Sequence, residues 1–341
     1  MKQYQIPPFY FPTTVIFVDD SKDFLTNLSL QLDSNLAFQL FDSPAEALQL
    51  LNGANGRPTL MERFFSRYRS TEDTPHSHHV IDVNLDRIHR EVYNEFRFEQ
   101  VSVAVVDYDM PSIDGLEFCR HIIDPAIKKV LLTGKADEKI AVHAFNQGII
   151  DRFILKQDKD VIYTLNQAIC DLQRAYFSQT ERMLTEALAI GRHAFLRDAL
   201  FAGRFREICE DLSIVEFYLC SEPDGMLLLD AGGASTLLMV SNEEGLRSQY
   251  EIAFEQGAPQ ELLNVLKSGE VLPYFWKTGG YYRPDSPAWR PFLYPATEFK
   301  GEQWQCYALI RDPQPYRTAL VFPYRAFLDA LDRQRRGHGA A

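Results

Sequence analysis

The chain has 341 residues, with 35 basic and 47 acidic side chains and a formal net charge of −12 at pH 7. An acidic balance makes a nucleic-acid partner held mainly by charge unlikely, although it does not exclude one. The five cysteines form no CxxC pair, and no apolar run reaches the length of a membrane span. We therefore expect a cytoplasmic protein with reduced thiols and no membrane contact, and the length favours two domains.

The first predicted element that ends in chemically reactive side chains is the segment TVIFVDD, residues 14 to 20. Its apolar residues predict a short buried strand, and Asp19 and Asp20 follow directly. A helix, a strand AFQLFD and a second helix are expected next. The second helix begins at Ser43 and Pro44, a serine cap followed by proline at the first helical position. Two strand and helix pairs in this order predict the start of a doubly wound parallel sheet.

Residues 52–99 interrupt this pattern with an insertion. Two segments in it, TLMERFFSRYRS and VNLDRIHREVYNEF, have the spacing of amphipathic helices, so we expect a helical hairpin. The hairpin could pack on the flank of the first domain. The alternative is a docking surface for a partner or a second copy of the chain.

Residues 101–115, VSVAVVDYDMPSIDG, contain the predicted chemical centre of the protein. The apolar, β-branched run predicts a strand that is covered on both faces and ends at Asp107. Pro111 and Gly115 predict a tight turn into a helix. In open α/β sheets, ligands bind at the carboxyl ends of the strands, which is where Asp107 would lie.

Two later segments also predict strands that end in polar side chains. The segment KVLLTGK ends near Thr133, and RFILKQ ends near Lys156. A hydroxyl and an ammonium at the same sheet edge can hold a phosphoryl group and balance its charge. The three acids at this edge would repel one another unless a cation lay between them, and a hard divalent cation with oxygen ligands meets that need.

This order of strand ends, together with the spacing DxxMPxxDG, resembles the receiver domains of two-component response regulators. The resemblance implies that Asp107 accepts a phosphoryl group from a phosphohistidine of a sensor histidine kinase, with Mg²⁺ as cofactor. The resemblance implies that Asp20 and Asp107 bind the metal directly, that Asp19 acts largely through water, and that the backbone carbonyl of Asp109 is another ligand. It also implies that Thr133 and Lys156 contact the phosphoryl oxygens and that Phe153 is the switch aromatic that moves with Thr133.

Two features depart from the family pattern. Gln157 stands where the family has a proline that often follows a cis peptide bond, so we expect a trans bond after Lys156. Asp109 adds a fourth acid near the site, and Lys135 lies two residues after Thr133. We expect this acid and base to tune the lifetime of the phosphorylated state.

A helical stretch is predicted over residues 160–212. Apolar residues recur every seven positions from Ile162 to Ile190, with a coiled-coil seam in the first half only. This stretch could be the last receiver helix packed against its own domain, or a signalling helix that links domains and dimerises.

The remaining residues, 213–341, predict an α+β output domain with an antiparallel sheet. The runs EFYLC and MLLLDA flank an Asp-Gly turn, and a third strand follows Asp230 and its two glycines, which we interpret as another hairpin turn. Two helices, a late strand WQCYALI and a final helix FLDALDRQRR come next. A loop with Tyr281, Tyr282, Trp289 and Arg290 could stack on a ligand, but packing against the domain is expected.

The predicted architecture is therefore a flavodoxin-like, five-stranded, doubly wound α/β receiver over residues 1–172, a helical linker over 160–212 and the output domain over 213–341. The whole chain is similar to response regulators of α-hydroxyketone quorum-sensing systems. We expect a phosphorylation-switched regulator that acts by homodimerisation or output-domain binding. The alternative is a receiver-controlled enzyme that acts on a nucleotide or second messenger, which a bound nucleotide or metal in the output domain would reveal.

Overall fold

The structure is a computed structural model of the chain. It describes residues 5–53, 58–69, 79–134, 138–188, 193–285, 288–314, 316 and 318–338. The strands in chain order are β1 Phe9–Tyr10, β2 Thr14–Val18, β3 Phe38–Phe41, β4 Phe65–Arg69, β5 His79–Val83, β6 Val101–Asp107, β7 Lys128–Thr133, β8 Arg152–Leu155, β9 Ile214–Cys220, β10 Gly225–Asp230, β11 Ser235–Asn242, β12 Val271–Pro273, β13 Leu293–Pro295, β14 Thr297–Lys300 and β15 Trp304–Arg311.

The helices in chain order are α1 Lys22–Ser29, α2 Pro44–Gly53, α3 Leu60–Phe64, α4 Leu85–Arg90, α5 Gly115–His121, α6 Glu138–Asn146, α7 Val161–Ala187, α8 Ala199–Asp211, α9 Glu243–Glu255, α10 Gln260–Ser268 and α11 Tyr324–His338.

Contacts divide the chain into two compact units, and neither unit is continuous in sequence. The parallel-sheet unit comprises Pro12–Thr59, Phe96–Gln179 and Tyr324–Ala341. The antiparallel-sheet unit comprises Met1–Phe11, Leu60–Glu95 and Thr180–Pro323. This grouping differs from the predicted sequential division. The insertion groups with the later part of the chain, and the final helix groups with the first sheet.

The parallel-sheet unit contains a five-stranded parallel sheet in the order β3-β2-β6-β7-β8. All four strand pairings are parallel. Strand β6 lies at the centre, and its residues from Ser102 to Asp107 are buried, as an apolar strand covered on both faces should be. The predicted doubly wound parallel sheet is confirmed.

Helix α7 packs against the sheet of its own unit over its first half. Leu165, Ile169 and Leu172 are buried in one core with Val15 and Val103. The predicted coiled-coil seam is therefore core in this part of the helix. At the amino-terminal end of the strands, the side-chain amide of Gln173 donates to the Thr13 carbonyl at 2.9 Å.

Helix α11 contributes to the parallel-sheet unit from a distant part of the chain. The Tyr324 hydroxyl donates to the Asn35 carbonyl at 2.6 Å and accepts from the Ala37 amide at 3.1 Å. The Tyr324 ring centroid lies 5.0 Å from that of Phe98, and the Arg335 guanidinium carbon lies 3.8 Å from the Phe38 ring centroid. The predicted final helix is present, and its contacts group it with the parallel-sheet unit.

The antiparallel-sheet unit contains a six-stranded sheet in the order β1-β9-β10-β11-β15-β14, and all pairings in it are antiparallel. The two predicted hairpins are confirmed by the pairings of β9 with β10 and of β10 with β11. In the second hairpin turn, Asp230 Oδ1 accepts the amides of Gly232 and Ala234 at 2.8 and 2.9 Å. This turn satisfies its own backbone and is not a phosphate loop.

The insertion is only partly helical, which corrects the predicted helical hairpin. Helix α3 ends at Phe64, and β4 and β5 form an antiparallel pair over residues 65–69 and 79–83. The second candidate helix, predicted over residues 83–96, is present in shortened form as α4 over Leu85–Arg90, which packs against β9. Three of the five residues in β5 are β-branched, and such residues favour strands over helices.

Candidate functional site

Three carboxylates meet at the carboxyl edge of the parallel sheet. Asp19 and Asp20 follow β2, Asp107 ends β6, and these strands are neighbours in parallel register. Ligand oxygens of the three residues lie within 4.8 Å of one another. Asp19 and Asp107 are buried, while Asp20 is exposed, so one side of the cluster is open to solvent.

Lys156 joins this cluster from the far edge of the sheet. It follows β8, which β6 and β7 separate from β2, and its side chain reaches back across both strands. The Lys156 Nζ lies 2.7 Å from Asp19 Oδ2 and 2.8 Å from Asp107 Oδ1. The sequence-predicted acids and lysine are thus brought together. The bond between Lys156 and Gln157 is trans, as predicted.

Burial and pairing act in opposite directions on the charges of the site. Burial raises the pKa of Asp107, although the hydrogen bond and charge of Lys156 oppose this rise. Burial alone would lower the pKa of Lys156, but its hydrogen bonds to Asp107 and Asp19 outweigh burial and raise it. Lys156 therefore stays charged.

Thr133 lies at the end of β7, and Phe153 lies in β8, the strand that precedes Lys156. Thr133 ends β7, next to Asp107 at the end of β6, and is 1% exposed. Its hydroxyl donates to the Gly134 carbonyl at 3.2 Å. Phe153 pairs with Leu131 in the sheet and is half-buried.

The fourth acid, Asp109, lies in the exposed loop after β6. Its side chain is not part of the three-carboxylate cluster, and a metal-binding role for its carbonyl stays a prediction. Lys135 lies outside the described residues, so its pairing with Asp109 also stays a prediction.

The turn after Asp107 brings the start of α5 close to the backbone at the end of β6. Asp114 caps α5 by accepting the Glu117 amide at 2.8 Å, and the Gly115 amide donates to the Tyr108 carbonyl at 2.9 Å. A Cβ on Gly115 would overlap the Asp107 carbonyl oxygen and lie 2.9 Å from Leu131 Cδ1. The start of α5 can approach the end of β6 this closely because residue 115 has no side chain.

The start of α1 supplies two residues that were not predicted from the sequence, the cap Ser21 and Phe24 in the first turn. The Ser21 amide donates to Asp19 Oδ1 at 2.9 Å, which leaves the other carboxylate oxygen to Lys156. The Phe24 ring centroid lies 4.4 Å from Lys156 Nζ. Ser21 could have been found as the helix cap directly after the acid pair. Nothing in the sequence placed Phe24 near a lysine 132 positions later.

The donor set fits Mg²⁺. Oxygen ligands suit this hard cation, and it commonly binds through one or two carboxylates and water. Lys156 balances one of the three carboxylate charges, so a charge suited to a divalent ion remains. Among the described residues, the acids that lie close enough to bind an ion together are Asp19, Asp20 and Asp107.

The aromatic loop of the antiparallel-sheet unit is largely packed into its own small core. Tyr282 and Trp289 are buried with Phe275 and Phe292. Arg290 lies over the Trp289 ring, 4.8 Å from its centroid, and pairs with Glu261. The expected packing of this loop against its domain is confirmed for Tyr282 and Trp289.

Comparison with known proteins agrees with this geometry. Residues 77–165 match the family described as the response regulator receiver domain. The solved structure of the Legionella pneumophila response regulator LqsR is 39% identical, with a TM-score of 0.76, and the match covers 97% of this chain and 98% of that one. The chain belongs to the response regulator family. The present chain is also 26% identical over 88 residues to YesN of Bacillus subtilis, which is named as an uncharacterized transcriptional regulatory protein. The matched segment spans 24% of the length of YesN.

The family match begins at residue 77, within the insertion, and so leaves out the first acid pair. Residues 77–165 include Asp107, Thr133 and Lys156, while Asp19 and Asp20 lie before it. The parallel sheet nevertheless brings all five to one edge. None of the helices in the described ranges has the length and apolar character needed to cross a membrane.

Proposed function

We propose that Asp107 of this response regulator accepts a phosphoryl group from the phosphohistidine of a sensor histidine kinase. The observation that carries the proposal is the position of Lys156, which contacts both Asp107 and Asp19 at the sheet edge. A carboxylate oxygen of Asp107 attacks phosphorus, the phosphorus–nitrogen bond breaks, and the electron pair of that bond returns to the histidine.

The other residues handle the charge of the transferred group. Asp20 and Asp107 would hold Mg²⁺ directly, Asp19 would act through water, and the Asp109 carbonyl would be a further ligand. When bound, the metal neutralises the negative charge that develops on the phosphoryl oxygens. Lys156 turns from the carboxylates to a phosphoryl oxygen, and Thr133 redirects its hydroxyl from the Gly134 carbonyl to another.

We further propose that phosphorylation is reported through Thr133, Phe153 and helix α7. Movement of Thr133 opens space that half-buried Phe153 can occupy, which changes the surface beside β8. Helix α7 begins in the parallel-sheet unit and ends in the antiparallel-sheet unit. In this proposal the first unit is the receiver, the second is the output domain, and the output is homodimerisation or altered binding by the second unit.

The similarity to the response regulator LqsR supports a role in two-component signalling. We propose, from the resemblance of the whole sequence, that this role lies in an α-hydroxyketone quorum-sensing system, with the kinase in the same signalling pathway. The proposal places the protein in the cytoplasm, where such kinases have their phosphohistidine. The acidic balance disfavours, without excluding, direct nucleic-acid binding.

Beryllofluoride, which mimics an acyl phosphate, tests the proposal on the full-length chain. Its binding with Mg²⁺ is measured by calorimetry, and the mass by light scattering after size-exclusion chromatography. We expect binding and an increase in mass for the native protein and for Asp23→Asn, an exposed neighbouring acid outside the cluster. Asp107→Asn should do neither.

The outcomes separate the parts of the proposal. If the native protein does not bind beryllofluoride, the assignment of Asp107 as acceptor is wrong. If it binds at constant mass, phosphoryl acceptance stands and homodimerisation is rejected as the output. Phosphorylation by acetyl phosphate, located by peptide mass spectrometry, should modify Asp107 and no other residue.

A further inference from the structure

Lys156 is held by more than its two carboxylate partners. Its ammonium nitrogen lies 4.4 Å from the centroid of the Phe24 ring, well within the distance at which a cation is attracted to an aromatic face. The same nitrogen contacts Asp19 and Asp107 at 2.7 and 2.8 Å. The ammonium therefore sits among two anions and one neutral ring.

The Phe24 ring is itself set in position by the start of α1. The Phe24 amide donates to the Ser21 hydroxyl, the helix cap, at 3.2 Å. The ring is half-buried and packs beside the core of the parallel-sheet unit, next to buried Leu25 and Leu28. A ring held by its backbone and by packing can support a flexible lysine at little further entropic cost.

The carboxylates and the ring differ in what happens to them during phosphoryl transfer. When Mg²⁺ binds, the charge of Asp107 is shared with the metal, and when Asp107 is phosphorylated its carboxylate charge is lost to the acyl phosphate. The ring changes in neither step. The Phe24 ring can therefore still attract the Lys156 ammonium when Asp107 is bound to Mg²⁺ or phosphorylated.

We propose that Phe24 is a positioning residue for phosphoryl acceptance: its ring holds the Lys156 ammonium at the site by a cation–π interaction, ready to pair with the incoming phosphoryl group. This rests on the proposed function, because it assigns Lys156 to the phosphoryl oxygens. Without the ring, Lys156 has to be ordered from more rotamers each time a phosphoryl group arrives, and binding weakens.

Fluorination of the Phe24 ring tests the proposal in the full-length protein. Replacing Phe24 by 4-fluoro-, 3,5-difluoro- and 3,4,5-trifluorophenylalanine withdraws electrons from the ring face while nearly preserving its shape. We expect the affinity for beryllofluoride at saturating Mg²⁺ to fall stepwise, by about two- to thirty-fold across the series. Phe24→Trp, with a stronger cation-binding face, should retain tight binding.

The same series in Lys156→Ala shows whether the lysine is the partner. There the affinity should be independent of fluorine content, since the cation has been removed. The cycle is also measured by urea unfolding of the ligand-free protein, so the comparison holds even when Lys156→Ala does not bind beryllofluoride.

The results distinguish this inference from the proposed function. A stepwise loss that disappears in Lys156→Ala supports the cation–π role. A flat series in a protein that binds beryllofluoride overturns it and leaves the acceptor role of Asp107 intact, because a ring that only fills space is insensitive to its electrons. Failure of the native protein to bind beryllofluoride overturns both.

Discussion

Substitution of Gly115 by alanine should damage both the stability and the chemistry of the receiver. The added Cβ would overlap the Asp107 carbonyl oxygen and lie 3.0 Å from its carbonyl carbon and 2.9 Å from Leu131 Cδ1. Carbon atoms pack best about 3.5 to 4.0 Å apart, so the helix start and the acceptor strand must separate by roughly 1 Å.

Two effects of Gly115→Ala can be sized. Forcing extra volume into packed structure costs about 1 to 3 kcal/mol, against a gain of about 0.5 to 1 kcal/mol from alanine in a helix. A displacement of about 1 Å at a reacting group costs about 10²-fold in rate. We therefore expect a net destabilisation of up to about 2.5 kcal/mol and a phosphorylation rate reduced by about 10²-fold.

The assay pairs urea unfolding with the initial rate of Asp107 phosphorylation by acetyl phosphate. Gly53→Ala is the matched control, because residue 53 is exposed at the end of α2 and a Cβ there meets no atom within 4 Å. If Gly115→Ala matches the control in stability and phosphorylation, residue 115 tolerates a Cβ and its close approach to Asp107 does not require glycine.

Three further substitutions test packing and charge elsewhere. Burial raises the pKa of Glu181 from 4.5 to about 8, so the folded state loses stability as the pH rises from about 4.5 to 8. Glu181→Gln should flatten this pH dependence and stabilise the protein at pH 8 by up to about 4 kcal/mol. Urea unfolding at pH 5 and pH 8 measures the effect. Gly301→Ala places a Cβ against the Asp198 carboxylate that caps α8, and the loss of this cap should lower the unfolding free energy by about 1 to 2 kcal/mol; an unchanged urea midpoint would contradict it. Tyr324→Phe removes the hydroxyl that pairs with the backbone before β3 and should cost about 1 to 3 kcal/mol in the same assay, whereas Tyr163→Phe, at a 70% exposed ring, should be neutral.

The functional edge of the receiver could be predicted because it depends on local rules. Strand ends in a parallel sheet point to the same edge, so the residues that follow apolar runs meet there whatever the intervening chain does. Asp19, Asp107 and Lys156 lie 137 positions apart at their extremes and still converge within hydrogen-bond distance. The two hairpins of the antiparallel-sheet unit could also be predicted from local sequence, because turn-forming residues separate their apolar strands.

Other features depend on packing between distant residues, which no periodicity encodes. The pattern of α11 predicts a helix, but nothing in it indicates that Tyr324 pairs with Asn35 or that Arg335 lies over Phe38. The contact of Phe24 with Lys156 is of the same kind. In the insertion, β-branched residues competed with a helical pattern, and strand pairing over residues 65–69 and 79–83 prevailed.

Because α11 packs in the parallel-sheet unit, this unit cannot complete its packing until the ribosome has synthesised the end of the chain. Residues 180–323, which belong to the other unit, leave the ribosome before Tyr324 does. At 5 to 20 residues per second, that is a delay of about 7 to 30 s after Gln179. During this interval the aromatic surface of Phe38 and Phe98 lacks the partners supplied by α11. The nascent receiver thus displays an apolar patch that chaperones can bind, and it closes only when the last helix arrives.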